Sequence, residues 1–262
     1  MQLNYIANTS APSSSGKTIT VIDPSDGQPF DEIQRSNAAD IHTAVTAARD
    51  CFDLVWQHIT AAERGRLLMR LSNKIAEHAD ELALLEQRDC GKPVKQAKAD
   101  AAALARYFEF YAGACDKLHG DTIPYLNGFS VMTWREPHGV TGHIIPWNYP
   151  MQIFGRSVGG ALAAGNVCVV KPSEDACLSV IRVAQLAAEV GFPAGAGAVG
   201  ASATMTGGGD VGGAVGAAAV AAASAKTIGN DIVIPPVERI FMRREGDLQA
   251  PRDRQTSSGS AS

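Results

Sequence analysis

The chain has 262 residues, 45% of them hydrophobic and 19% charged, and carries a formal net charge of −4. That length buries a sizeable core, in one large domain or two small ones, and the acidic balance argues against a nucleic acid or an anionic membrane as partner, since both are met by basic surfaces. No apolar run is long enough to span a bilayer, the N-terminus shows neither the basic nor the apolar region of a signal peptide, and five dispersed cysteines without metal-ligand spacing read as reduced thiols of a cytoplasmic protein.

Residues 1 to 16 are polar and Ser-rich and read as a flexible leader. The segment TITVIDPSDGQPFDEIQ holds two β-prone runs around DPSDG, a hairpin signal. NAADIHTAVTAARDCFDLV follows, with Ile41, Val45, Ala48 and Phe52 on one helical face. TAAERGRLLMRLSNKIAEHADEL opens with Thr60 and Glu63 at capping-box spacing and carries the apolar stripe Leu67, Leu68, Leu71 and Ile75. A short helix stops at DCGKP, and VKQAKADAAALARYFEFYAGACDKL is another long one, so that residues 17 to 118 are mainly helical.

The pattern then changes. FSVMTWREPHGVTGHIIPW alternates and is rich in β-branched and aromatic residues, which reads as two strands joined near Pro137–Gly139. MQIFGRSVGGALAAGN reads as a helix of small residues. VCVVK is a short all-apolar strand of the kind buried on both faces of a parallel sheet, and DACLSVIRVAQLAAEVG is a helix ending at Gly191. Strand, helix, strand, helix defines an α/β fold with a Rossmann-like parallel sheet over residues 143 to 195. Residues 195 to 225 hold 9 Gly and 12 Ala in 31 positions, without Leu, Ile or Phe. So little apolar surface does not offset the entropy of ordering the segment, and 196 to 262 reads as a divergent, disordered tail, interrupted by the coherent run TIGNDIVIPPVERIFMRR.

Two motifs carry chemistry. PWNYP, residues 146 to 150, follows a strand and precedes a helix, which puts Trp147 and Asn148 at the carboxyl edge of the sheet, where ligands sit. Each proline holds its predecessor, Ile145 and Tyr149, out of helical geometry. A stiff loop presenting a carboxamide suits stabilisation of a developing oxyanion, a contact whose removal typically costs about 100- to 1000-fold in rate; the structural alternative is a proline-bracketed turn with buried aromatics. KPSE, residues 171 to 174, leaves the next strand at the same edge. Glu174 there could accept hydrogen bonds from ribose hydroxyls; the structural alternative is that Ser173 caps the following helix and Glu174 complements its positive end.

PWNYP, a small-residue helix, GN, VVKPSE and AAEVGFPAG form one ordered series, joined by the earlier GKP (91–93) and GDTIPY (120–125). The series resembles the aldehyde dehydrogenase family, from about residue 17 to residue 195. The resemblance implies oxidation of an aldehyde to a carboxylic acid with NAD as cofactor, NADP being the less favoured. It implies Asn148 as oxyanion donor, Ile144, Ile145, Pro146 and Trp147 along the nicotinamide, and Lys171 and Glu174 on the adenosine ribose, with Ser173 also among the cofactor-binding residues. It assigns 119 to 142 to a bridging hairpin used in assembly, hence a homo-oligomer. Met151 and Phe154 are the local candidates for shaping the aldehyde site.

The family's catalytic cysteine and glutamate lie in motifs resembling GQxC and ELGG, and its pyrophosphate-binding helix start in one resembling FTGS. None of the three occurs here. Cys51, Cys90, Cys115, Cys168 and Cys177 fall in helices, at their ends or in a buried strand, and read as inert packing thiols rather than the accessible, electropositive setting a thiolate needs. The chain therefore reads as an aldehyde dehydrogenase by descent, truncated or frame-shifted and inactive by itself. The alternative is a non-catalytic cofactor-binding or subunit-assembly module.

Overall fold

The computed structural model describes residues 1–199 and the strand segments 226–228, 231–233 and 237–244. The leader is not free of the body. It forms β1 (Asn4–Ile6) and β2 (Thr9–Ala11), paired antiparallel through Ala7 and Asn8, whose φ angles are 51° and 58°. Two successive left-handed residues make the primed turn that matches strand twist. The Asn8 side-chain amide then donates to the Phe192 carbonyl at 2.8 Å, which ties the leader to a segment 184 residues away. The expected hairpin around DPSDG is present as β3 (Thr18–Ile22) and β4 (Pro29–Gln34).

Helix α1 (Ala38–Leu54) begins with a capping box of Asn37 and Asp40. Its buried stripe is Ile41, Ala44, Ala48 and Cys51, slightly rotated from the expected one, so that Val45 and Phe52 are only partly covered. After a single 3-10 turn at Trp56–His58 comes α2 (Ala61–Glu77). Its capping box is as expected: the Glu63 amide donates to Thr60 Oγ1 at 3.2 Å and the Thr60 amide to Glu63 Oε2 at 3.0 Å. Leu67, Leu68, Leu71 and Ile75 are all buried. The helical run breaks at His78, and α3 (Ala79–Cys90) ends on Gly91, whose φ of 69° is the left-handed position glycine takes without strain. Helix α4 (Val94–Ala114) follows.

The strands β5 (Thr122–Ile123), β6 (Phe129–Glu136) and β7 (Val140–Ile145) come next, then α5 (Pro150–Ala163), β8 (Val167–Pro172), α6 (Leu178–Glu189) and β9 (Gly197–Val199). The described parts of the tail are β10 (Lys226–Ile228) and β11 (Asp231–Val233), which pair with each other, and β12 (Val237–Arg244). β6 and β7 do not form a hairpin. β6 lies between β5 and β12 in a three-stranded antiparallel sheet, with β12 in register along all of β6 from Val237 opposite Glu136 to Arg244 opposite Phe129. β7 leaves for the main sheet, so the arm ends at Glu136 rather than at residue 142. The tail read as disordered thus contributes β9 and β12 to sheets; residues 200–225 lie outside the described residues.

The main sheet has the order β2-β1-β9-β8-β7. β7, β8 and β9 are parallel, connected by α5 and α6 as the sequence pattern requires, and the leader adds an antiparallel edge. Val167–Val170 of β8 are buried, with α1 and α5 both packed against the strand, hence the unbroken apolar run. The small residues of α5 have a partner: a Cβ on Gly155 would stand 2.9 Å from Leu104 Cδ1, and one on Gly159 2.8 Å from Tyr111 Cδ2, so α4 and α5 approach as closely as glycine allows.

Candidate functional site

β7 and β8 are neighbours, with Ile144 opposite Lys171 and Ile145 opposite Pro172 at their carboxyl ends. The PWNYP and KPSE loops therefore leave the sheet side by side, one interstrand spacing apart. Pro150 is the first residue of α5, where a missing N–H costs nothing. Tyr149 before it has φ −141° and ψ 57°, outside the helical region. Between the prolines Trp147, Asn148 and Tyr149 are all exposed, which excludes the turn with buried aromatics. Ile144 is 43% exposed and Ile145 only 1%, so of that pair only Ile144 offers a side chain to a ligand, and Ile145 offers its backbone. Met151 and Phe154 are core residues, 0% and 5% exposed, and the Phe154 ring lies 6.2 Å from that of Phe108.

Lys171 Nζ lies 3.2 Å from Glu174 Oε2, in a pair whose lysine is nearly covered and whose glutamate keeps 33% of its side-chain surface. Ser173 does not cap α6. Its hydroxyl accepts from the Asp175 amide at 3.3 Å, and the helix begins only at Leu178. Neither α5 nor α6 receives a cap from its own N-cap side chain, Tyr149 or Cys177. Both are capped by α3. Glu86 Oε2 accepts the Met151 amide at 3.3 Å and the Ser179 hydroxyl at 3.2 Å, and Asp89 Oδ2 accepts the Leu178 amide at 2.8 Å. Carboxylates at helix N-termini meet unsatisfied N–H groups and the positive end of the dipole.

Lys92, from the GKP segment, joins this cluster. Its ammonium lies 2.5 Å from Glu86 Oε1, 2.6 Å from Asp100 Oδ2 and 4.5 Å from the Tyr149 ring centroid. Asp100 Oδ1 also accepts from Gln96 at 2.7 Å and Gln152 at 2.6 Å. The Cys90 thiol donates to the Trp147 carbonyl at 3.4 Å. Burial disfavours the Lys92 charge, but bonds to Asp100 and Glu86 outweigh it and raise its pKa. Burial raises Glu86 against the pull of Lys92. It raises Asp89 to about 7 despite the amides of Leu178 and Cys177. Asp100 stays low, because its bonds to Lys92, Gln152 and Gln96 overcome burial. None of these four residues is among the site residues expected from sequence. The available signal was spacing: Glu86 and Asp89 continue the buried face of α3 begun by Leu82 and Ala83, where an apolar residue would be ordinary.

All five cysteines are described, and burial raises every thiol: Cys51 and Cys115 to about 11, Cys168 to about 12, Cys177 well above its ordinary value and Cys90 likewise upward, the last with Glu86 and Asp89 adding to the effect. None stands as a thiolate at neutral pH.

A parallel βαβαβ sheet with two loops side by side at its carboxyl edge defines a Rossmann-like, ligand-binding α/β protein. The model of the aldehyde dehydrogenase family matches residues 11–232, beyond Gly195 where the recognisable motifs end. The chain belongs to the aldehyde dehydrogenase family. It is 45% identical over 193 residues to hydroxyisobutyraldehyde dehydrogenase of Mycolicibacterium austroafricanum, an alignment covering 74% of this chain and 38% of the relative. A crystal structure of a putative aldehyde dehydrogenase from Burkholderia cenocepacia superposes with a TM-score of 0.77 at 62% identity, over 82% of this chain and 44% of that one. The structure of PnpE in complex with nicotinamide adenine dinucleotide matches with a TM-score of 0.77 at 39% identity, over 82% of this chain and 43% of that one. The chain thus spans less than half the length of these relatives.

Proposed function

We propose that this chain is the cofactor-binding part of an NAD-dependent aldehyde dehydrogenase, which oxidises an aldehyde to a carboxylic acid. The observation that supports the reading most is the register of β7 and β8, which sets an exposed carboxamide beside a half-buried Lys–Glu pair at one sheet edge. NAD, which PnpE binds, supplies the hydride acceptor when bound. The residues present fit it: Glu174 retains carboxylate surface that would accept from ribose hydroxyls, Lys171 and Ser173 flank it, and the apolar side chains of Ile144, Pro146 and Trp147 would line the nicotinamide. Asn148 donates its amide N–H to the oxygen that gains charge when the aldehyde carbon becomes tetrahedral. The carbonyl is then polarised by a donor already in place rather than by water that must reorganise.

The protonated state of all five thiols, four of them buried and Cys90 partly so, favours a second element of the reading: this polypeptide holds cofactor without itself providing the nucleophile. The three-stranded arm, with Ile123, Tyr125, Leu126, Met132 and Trp134 exposed, is an apolar surface of the kind that pairs between copies, and we assign homo-oligomer contacts to it. No helix among the described residues is long and apolar enough to cross a membrane, and five free thiols suit the reducing cytoplasm. The test is titration of the purified chain with NAD, together with an assay for NADH formation from short aliphatic aldehydes. Saturable binding without turnover is expected. No binding at millimolar NAD overturns the cofactor reading, and a steady rate abolished by replacing one native cysteine overturns the assignment of those thiols as inert.

A further inference from the structure

We propose that Lys92 is the positioning residue of the Asn148 loop: clamped between Glu86 and Asp100 beneath Tyr149, it keeps two buried carboxylates aimed at the start of α5 and so fixes the strand-to-helix turn that carries Asn148. The consequence for catalysis rests on the reading of Asn148 as the oxyanion donor; the positioning itself does not. Glu86 and Asp100 are both 0% exposed. Each splits its two oxygens, giving one to Lys92 Nζ and the other to α5: Glu86 Oε2 to the Met151 amide, Asp100 Oδ1 to the Gln152 side chain. The ammonium thus bridges α3 and α4, and the bridge delivers two acceptors to successive residues of the first turn of α5. The same cation sits on the Tyr149 ring, and the thiol two residues before it holds the Trp147 carbonyl. The loop is therefore gripped on both sides of Asn148 from below, while Asn148 itself remains exposed.

Without the ammonium the pocket holds two buried like charges. One carboxyl must then take up a proton or the elements must part. The other titratable groups facing the cluster are Asp89 and Cys90 on α3, Tyr149 in the loop, Cys177 before α6, and Asp175 near Asp89. Apart from Lys171, whose charge acts on Cys177 from the end of β8, none of these can replace the positive charge. Ionisation of the orphaned pair as pH rises would then release the loop.

The experiment is residue-resolved amide hydrogen exchange on the whole purified chain, wild type against Lys92→Met, from pH 6 to pH 9, with rates divided by the intrinsic rate at each pH. In the wild type the protection of Met151 and Ile153 is flat across the range. In Lys92→Met it falls at least tenfold at pH 8, and falls further as pH rises, while amides in the middle of α2 keep wild-type protection. A loop protection within twofold of wild type, or a loss that is independent of pH and shared equally by α2, overturns the proposal, the latter marking a merely global effect. Should Lys92→Met not fold, the charge-matched pair Glu86→Gln with Lys92→Met takes its place: with one carboxylate left and no like-charged pair, the protection of Met151 and Ile153 should stay flat with pH, and a tenfold fall between pH 6 and pH 9 in it overturns the like-charge argument. No cofactor or aldehyde enters the measurement. Asn148→Ala should leave the exchange of Met151 and Ile153 at wild-type level, so failure of the oxyanion reading and failure of this one remain distinguishable.

Discussion

Replacing Glu174 by Gln should remove the preference for NAD over NADP. Gln keeps the length of the side chain and a carbonyl acceptor but loses the charge. In the structure Glu174 Oε2 is 3.2 Å from Lys171 Nζ and one-third of its side chain is exposed. A hydrogen bond from a ribose hydroxyl to a charged acceptor contributes about 1.5–3 kcal/mol, and exposure of the carboxylate favours the lower end, so NAD affinity should fall about tenfold. For NADP the sign reverses. A 2′-phosphate set about 4 Å from the carboxylate is repelled by between about 1 kcal/mol, with full water screening, and about 4 kcal/mol for a pair near a protein surface. Lys171 attracts the same phosphate in wild type and variant alike, so its contribution cancels from the comparison. The ratio of NADP to NAD dissociation constants should therefore drop by at least about fiftyfold. Losing the partly exposed ion pair with Lys171 should itself cost well under about 1 kcal/mol of stability, so the variant stays folded. Calorimetry with both cofactors at fixed ionic strength measures the ratio. A wild type that binds NADP as tightly as NAD, or a ratio unchanged in the variant, refutes the placement of Glu174 on the ribose.

Other outcomes follow from the core and the arm. Burial holds His143 near a pKa of about 4, between Thr141 Oγ1 at 2.9 Å and Ser157 Oγ at 2.6 Å. The unfolded chain binds a proton at about 6.5 that the native state refuses, so stability is lost as pH falls from about 6.5 to 4, by about 3 kcal/mol. Asp89, raised to about 7, gives the opposite slope, its native state holding a proton that the unfolded chain releases. In urea melts across that range, His143→Gln should gain stability relative to wild type as pH falls and Asp89→Asn should lose it; parallel curves would show that neither titration is linked to folding. Gly195→Ala forces a side chain into φ +92° and sets its Cβ 2.4 Å from the Ala47 carbonyl oxygen and 2.9 Å from Cys51 Cβ. The expected cost is about 2–4 kcal/mol, read as a lower urea midpoint at unchanged slope; an unchanged midpoint would contradict the packing of this turn on α1. Leu126→Asp, at a position 64% exposed, should leave the melt unchanged and reduce the oligomer in light scattering, and an unchanged mass would remove the arm from the assembly.

The sequence by itself determined what depends on neighbours a few residues apart. The Thr60–Glu63 box, the stop at Gly91, the all-apolar β8 and the pair of prolines around Asn148 are each written within a turn or two of chain, and all are found where the pattern puts them. Because successive strands of a βαβ unit lie side by side, the adjacency of the PWNYP and KPSE loops was legible as well. Tertiary structure decided what depends on groups far apart in sequence. Ser173 was a sound local cap, yet the amide at the start of α6 is taken by Asp89, 89 residues earlier, and that of Met151 by Glu86, 65 residues earlier. A helix N-terminus needs acceptors but does not specify where in the chain they come from. The leader follows the same logic, since its polar composition describes a segment without a core of its own, and the partners that order it come from elsewhere in the chain, among them β9, the Phe192 carbonyl, Asp31 and Asp40. Likewise an alternating run such as 129 to 145 states that strands form but not which sheet each joins, and the choice that sends β6 to the arm and β7 to the ligand edge is made by the partners waiting there, β12 on one side and β8 on the other.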